Sequence, residues 1–147
     1  MSGQTDNLYL VAPFWAVSPF TGAGQRTNIF FEALKRLGPV EVIILGNEGA
    51  ELVPAYFPGA RQIHFIDDGG VFGGAGGLKA QLRRSVFLRE TYRASENISN
   101  AMAAIYSAGD PRSGKTVVFR YFRTFCVSGA PDSTDPNLSS FVDVDDR

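Results

Sequence analysis

Apolar and polar positions alternate along the chain in blocks that predict strands separated by helices. Five apolar runs, rich in β-branched and aromatic residues, have the length and composition of buried strands. These runs span residues 8–12, 40–45, 61–66, 115–121 and 140–144. After the first run, apolar residues recur at helical spacing up to Leu37, and Gly38 followed by Pro39 ends the pattern. Thr27 or Asn28 is the predicted N-cap of this helix.

Helical periodicity fills most of the long interval between the third and fourth strands. Residues 67–77 hold six glycines and predict a loop. Residues 78–108 predict two helices with a break near 94–97, where Ser95 has the position of a helix cap. Shorter helical stretches are predicted at 50–57 and 122–128.

The order of these elements indicates the fold class. Alternating strands and helices predict a Rossmann-like α/β domain, a doubly wound parallel sheet of about five strands flanked by helices, in the strand order 3-2-1-4-5. Ligands of such sheets bind beyond the carboxyl ends of the strands, where the strand order reverses. Three segments are therefore expected to converge there: the glycine loop after the first strand, residues 120–123, and the aspartates that end the fifth strand.

Composition narrows the class of protein. The 147 residues fit a single domain, of which 44% are hydrophobic and 20% charged, with a net charge of −1. This balance argues against nucleic-acid binding and against a polybasic membrane anchor. The only cysteine, Cys126, excludes an internal disulfide, and the N-terminus lacks the features of a signal peptide. Together these features predict a cytoplasmic protein.

A phosphate-binding motif is present, but in an unsuitable context. Residues 109–116 satisfy the pattern G-x-x-x-x-G-K-[ST]. A phosphate-binding loop of this type follows a strand and opens a helix, so that backbone N–H groups point at the phosphates. Here a predicted helix leads in and a strand leads out, and Pro111 removes one N–H donor. We therefore interpret the motif as a helix-to-strand turn, and an ATPase or kinase is disfavoured.

The loop at 18–27, after the first strand, has a better context for binding an anion. Gly22 and Gly24 allow a ligand to approach the backbone closely, and the helix N-terminus that follows favours negative charge. The third glycine of a dinucleotide fingerprint is missing, since Thr27 stands at that position. A nicotinamide or flavin dehydrogenase is therefore disfavoured, and a plain connection between strand and helix is the alternative interpretation of the loop.

Acidic residues cluster at the predicted end of the fifth strand. Asp143, Asp145 and Asp146 fall within four positions, and clustered carboxylates shift each other's pKa and attract cations. The pattern fits either a functional role or a solvated strand end, and no metal site is predicted. The only histidine, His64, lies between apolar residues and is interpreted as a packed or edge residue. One histidine leaves little on which to build a zinc site or a catalytic triad.

Four segments of the chain together resemble a known family. The segments are 13–15 (Pro-Phe-Trp), 22–27 (Gly-Ala-Gly-Gln-Arg-Thr), 119–123 (Phe-Arg-Tyr-Phe-Arg) and 142–146 (Val-Asp-Val-Asp-Asp). They are similar to landmarks of bacterial glycosyltransferases of the GT-B architecture, which have two Rossmann-like halves and often act in polysaccharide synthesis. The resemblance implies that residues 1–147 form the N-terminal, acceptor-side half of such an enzyme. A C-terminal donor-binding domain would then be missing, and the isolated half would be inactive.

The resemblance also implies substrates and site residues. The reaction would transfer a sugar from a nucleotide-sugar, as co-substrate, to a saccharide or lipid-linked acceptor, with no cofactor, no metal and no catalytic residue assigned. Contacts to the donor diphosphate or sugar would come from Gly22, Gly24, Gln25 and Arg26. The acceptor side of the cleft would be lined by Arg120, Arg123, Asp143, Asp145 and Asp146.

Two features of the expected domain bear on its partners. An open sheet edge would favour a dimer, and four arginines within residues 83–93 would allow peripheral contact with the inner face of a membrane. The alternative function, from a different class, is a non-catalytic nucleotide- or phosphate-binding α/β module.

Overall fold

A computed structural model describes residues 6–69 and 94–144 of the chain. In these residues five strands form one sheet, in which every neighbouring pair is parallel. The strands are β1 (Asn7–Pro13), β2 (Val40–Leu45), β3 (Gln62–Ile66), β4 (Lys115–Arg120) and β5 (Leu138–Asp143). Their order is β3-β2-β1-β4-β5, so the predicted fold class and strand order are confirmed.

The described residues also include four α-helices and two short 3₁₀ turns. The helices are α1 (Gly22–Lys35), α2 (Val53–Tyr56), α3 (Glu96–Ser107) and α4 (Phe122–Val127), and the turns are Phe14–Ala16 and Ala130–Asp132. The Ser95 hydroxyl accepts a hydrogen bond from the backbone N–H of Ile98 at 3.4 Å, which confirms the predicted cap of α3. The first of the two helices predicted in 78–108 and most of the predicted glycine-rich loop lie outside the described residues. Among the helices of the described ranges, none is long and apolar enough to cross a membrane.

Helix α1 begins earlier than the sequence pattern predicts. The predicted N-cap at Thr27 or Asn28 is wrong, because Thr21 caps the helix and its Oγ1 accepts a hydrogen bond from the N–H of Gly24 at 3.0 Å. Thr27 lies fully buried inside the helix. Glycines have low helix propensity, so Gly22 and Gly24 concealed the first turn.

Two hydrophobic layers cover the two faces of the sheet. Helices α1 and α2 pack on one face, mainly over β1 and β2, and helices α3 and α4 pack on the other. Strands β1 and β2 are buried on both faces, and their sequences are therefore continuous apolar runs.

The carboxyl ends of β1, β4 and β5 and the first turns of α1 and α4 meet at one end of the sheet. We call residues 14–26, 120–123 and 143 the carboxyl rim.

The phosphate-binding motif lies at the amino ends of the strands, opposite the carboxyl rim. Helix α3 ends at Ser107 and β4 begins at Lys115, so the motif connects a helix to a strand, as predicted. The Lys115 ammonium forms an ion pair with Asp135 at 3.2 Å, and the Thr116 hydroxyl donates to the Asp6 carboxylate at 3.3 Å. These are the two side chains that would hold phosphate and magnesium in a phosphate-binding loop, and here they stabilise the start of β4.

His64 and Cys126 occupy structural positions. His64 lies on the edge strand β3, with its Nε2 2.9 Å from Glu41 Oε1 on β2, which confirms the interpretation as an edge residue. Cys126 is buried in α4, and burial raises the pKa of its thiol.

Candidate functional site at the carboxyl rim

The carboxyl rim brings charged side chains from three elements together. The register of the sheet places Arg120 beside Asp143 on neighbouring strands, so that both side chains point to the face covered by α1. Arg26 reaches the same carboxylate from α1. We call Arg26, Arg120 and Asp143 the ion triad.

Arg120 is fully buried, and its guanidinium contacts residues of α1, the Tyr121 side chain and Asp143 at the end of β5. Its Nε donates to the Thr27 hydroxyl at 2.8 Å, and its Nη2 donates to the carbonyl of Ala23 at 3.2 Å and to the Tyr121 hydroxyl at 3.3 Å. Its Nη1 forms an ion pair with Asp143. Arginine keeps its charge inside proteins, so a buried guanidinium needs a carboxylate to compensate it.

The Asp143 carboxylate bridges a buried and a half-exposed arginine. Arg26 donates to it from two nitrogens, with Nε 3.1 Å from Oδ2 and Nη2 3.0 Å from Oδ1. Such bidentate contacts are stronger and more directional than single ones. The Asp143 side chain is 8% exposed and that of Arg26 is 49% exposed. Two guanidinium groups and one carboxylate leave the ion triad with a single positive charge.

The structure joins residues to which the resemblance gives separate roles. Arg26 was expected on the donor side, and Arg120 and Asp143 on the acceptor side, yet all three form one triad. Arg123 is half-buried in the first turn of α4, and Asp145 and Asp146 lie outside the described residues. Within 6–69 and 94–144, no group of three or more His, Cys, Asp or Glu residues is placed to hold a metal ion.

The predicted donor-binding residues at the start of α1 differ in their surroundings. Gly22 is exposed, and no atom lies within 4 Å of a Cβ added there. Gly24 is buried, and an added Cβ would overlap the backbone of Ser18. The Gln25 side chain donates to the carbonyl of Pro19 at 3.2 Å. Gly24 and Gln25 therefore hold the preceding loop against α1, and the contact of these residues with a donor diphosphate stays a prediction.

Two aromatic side chains of the carboxyl rim were not predicted as site residues. Trp15, in the 3₁₀ turn after β1, is 43% exposed. Its ring centroid lies 4.8 Å from that of Tyr121, and the Tyr121 centroid lies 4.6 Å from the guanidinium carbon of Arg120. Arg120 of the buried ion triad thus contacts Tyr121, which contacts the exposed Trp15. The signals in the sequence were the position of Trp15 just after the first strand and the inclusion of Tyr121 in residues 120–123, which were expected at the ligand-binding end of the sheet.

Tyr121 also has a strained backbone. Its φ of 75° and ψ of 142° lie in a region that L-residues avoid, and no other non-glycine residue of the described part has a positive φ. Conformations of this kind cost on the order of 1–3 kcal/mol and concentrate at functional sites. The residue forms the whole connection between β4 and α4, and its N–H donates to the carbonyl of Asp143 at 3.0 Å. The backbone of this sharp turn is therefore bonded to the end of β5, while the Tyr121 ring contacts Trp15.

Several perturbed ionisable groups lie toward the amino ends of the strands. Burial and the nearby Glu41 carboxylate raise the pKa of Tyr9 to about 12. Burial also raises the pKa of Tyr106, whose ring contacts that of Tyr9 with centroids 5.1 Å apart. The Asn137 N–H and the Lys115 ammonium lower the pKa of Asp135. These groups lie away from the carboxyl rim.

A cleft of about 700 Å³ runs along α3 toward the starts of β4 and β5. Its walls include Met102, Tyr106 and Leu138, and its charged groups, Lys115 and Asp135, are paired with each other. No residue of the carboxyl rim, where this sheet topology binds ligands, is among the residues that line the cleft.

No protein-family model, no curated protein and no solved structure matches the chain. The sheet topology establishes a Rossmann-like α/β arrangement. The carboxyl rim is the part of it that combines a strained residue, a buried charge network and exposed aromatic surface.

Proposed function

We propose that the chain is the acceptor-side domain of a nucleotide-sugar-dependent glycosyltransferase, and that its carboxyl rim binds a saccharide. The observation that supports this best is the ion triad, which lies beside exposed aromatic surface at the edge where parallel α/β sheets bind their ligands. The domain would orient an acceptor hydroxyl, and a second domain would hold most of the nucleotide-sugar.

The arrangement of charges suits a polyhydroxylated ligand. Arg26 and Asp143 place N–H donors next to carboxylate acceptors, and their mutual bidentate contact fixes the direction of both groups. A sugar hydroxyl both donates and accepts hydrogen bonds, so neighbouring hydroxyls can bind to such a pair together. Arg120 has no exposed surface, and its role is to hold Asp143 in place from below.

The start of α1 would bind the diphosphate of the nucleotide-sugar donor. Backbone N–H groups of the first turn and the positive end of the helix dipole attract phosphate groups. Gly22 is exposed at this position and leaves room for a ligand to approach the backbone. In the proposed reaction, these groups and Arg26 would stabilise the leaving diphosphate.

An NMR titration of the whole chain tests this proposal. The probes are cellotriose and maltotriose, then UDP and GDP with and without magnesium, then ATP with magnesium. We expect the saccharides to shift the amide signals of residues 22–26 and 120–123 in a saturable way, and the free nucleotides to shift them less. Nucleotide binding at the rim without saccharide binding would instead support a non-catalytic nucleotide-binding module.

The phosphate-binding motif supplies the control for this titration. Lys115→Ala is expected to leave every titration unchanged, because Lys115 is paired with Asp135 at the opposite edge of the sheet. Loss of tight ATP binding in this variant would contradict the proposal and would assign the nucleotide site to residues 109–116.

A further inference from the structure

We propose that Trp15, supported by Tyr121, is the surface on which one pyranose ring of the bound saccharide stacks. The inference rests on the proposed function and adds to it the contact that selects the ligand, a sugar ring held through its C–H face. Both residues lie in segments that carry the resemblance, but neither is among the site residues that it implies.

The first argument is the support beneath an exposed tryptophan. Trp15 is 43% exposed, yet its ring rests on Tyr121, which in turn contacts the buried guanidinium of Arg120. Arg120 is itself held by Thr27 and by the Asp143 carboxylate. An exposed aromatic surface on a rigid base can bind a ring without losing side-chain entropy of its own.

The second argument is the backbone of Tyr121, which is independent of the exposure of Trp15. At a φ of 75° a glycine would be unstrained, whereas tyrosine costs free energy. The tyrosine ring offsets part of this cost through its contacts with Trp15 and Arg120. A strained residue whose side chain supports an exposed ring is expected where that ring has a binding role.

The third argument concerns the chemistry of the ligand. The face of an aromatic ring carries partial negative charge, and it attracts the C–H groups on the less polar face of a pyranose. The hydroxyls at the edge of the same ring, or of the next sugar along the chain, can then bind to Arg26 and Asp143. Arg26 supplies N–H donors and Asp143 supplies carboxylate acceptors at adjacent positions, and both kinds of group can bind the hydroxyls of a neutral sugar.

Fluorescence offers a direct test, because Trp15 is the only tryptophan of the chain. Titration of the whole chain with cellotriose or maltotriose is expected to shift its emission to shorter wavelength in a saturable way. The matched variants are Trp15→Leu, which keeps apolar bulk without an aromatic face, and Tyr121→Ala, which removes the support. Tyr121→Phe keeps the ring, and Phe65→Ala removes an aromatic residue that is 38% exposed on the edge strand β3.

The affinities of these variants, measured by calorimetry, separate the outcomes. Trp15→Leu and Tyr121→Ala are expected to bind the saccharide about tenfold more weakly, whereas Tyr121→Phe and Phe65→Ala stay within about twofold of the wild type. Circular dichroism shows whether each variant is folded. If Trp15→Leu does not fold, Trp15→Phe takes its place and is expected to bind measurably more weakly.

Two results would overturn the stacking proposal in different ways. If the saccharides bind the tryptophan variant as tightly as the wild type, Trp15 is not the platform, but the proposed function stands. If no saccharide binds while UDP changes the emission of Trp15, the platform serves a nucleobase, and both proposals fail.

Discussion

Replacing Asp143 by asparagine tests whether the buried Arg120 depends on a carboxylate. Asparagine has nearly the same size and still accepts a hydrogen bond, but it carries no charge. Arg120 is 0% exposed, so the variant removes a carboxylate that pairs with a buried, charged guanidinium. The ion triad would then lose the group that joins β4, β5 and α1.

The structure sets the expected magnitude. Removing one partner of a buried ion pair costs about 3–5 kcal/mol. The hydrogen bonds of Arg120 to Thr27 and Ala23 remain, so we expect the lower end of this range, about 3 kcal/mol of unfolding free energy. The side chain of Arg26 is 49% exposed, and Arg26→Gln is therefore expected to cost less than about 1 kcal/mol.

Urea denaturation followed by circular dichroism measures both values, provided that the unfolding free energy falls with urea concentration at the same slope in each variant. Asp135→Asn is the matched control, because the Asp135 side chain is 37% exposed and asparagine can still accept the hydrogen bond from the Asn137 N–H. Its unfolding midpoint is expected to stay close to that of the wild type. A loss below about 1 kcal/mol in Asp143→Asn, or an equal loss in Arg26→Gln, would refute the reasoning.

Three further predictions follow from backbone conformation and burial. At Tyr121, where φ is 75°, the glycine variant is expected to be more stable than the alanine variant by about 1–2 kcal/mol, and equal urea midpoints would contradict the strain. Gly24→Ala is expected to lower the unfolding free energy by about 1–3 kcal/mol because its Cβ meets the backbone of Ser18. Gly22→Ala has open space and is expected to leave the thermal midpoint unchanged or higher, so equal losses in the two variants would exclude the close contact. The pKa of Tyr9 is raised from 10.0 to about 12, so its contribution to stability is complete below pH 10 and is lost as the pH rises toward 12. Denaturation at several pH values, with Tyr9→Phe as the control, measures this loss, and a wild-type stability that falls no more steeply above pH 10 than that of the variant would show that Tyr9 ionises normally.

The sheet could be predicted because its physical cause is visible in the sequence. Parallel strands that are buried on both faces need continuous apolar runs, and residues 8–12 and 40–45 show them. The start of α1 could not be predicted in this way. The capping hydrogen bond from Gly24 to Thr21 and the packing of Ser18 against the helix compensate for the low helix propensity of the glycines, and both depend on the folded loop.

The candidate site could be predicted only in part. Arg120 and Asp143 end neighbouring strands, and the predicted strand order was enough to bring them together. The contact of Arg26 with Asp143 depends on how α1 packs over the sheet, which no local pattern specifies. The contact between the tilted rings of Trp15 and Tyr121 involves a residue with a positive φ, and sequence patterns lead one to expect glycine at such a position.

The most direct test of the account is whether a saccharide binds at the carboxyl rim. We would titrate the whole chain with cellotriose and follow, by NMR, the indole N–H of Trp15 together with the amides of residues 22–26 and 120–123. We expect saturable shifts at these positions and unchanged signals at residues 109–116. Unchanged signals throughout the rim at saturating saccharide would contradict it.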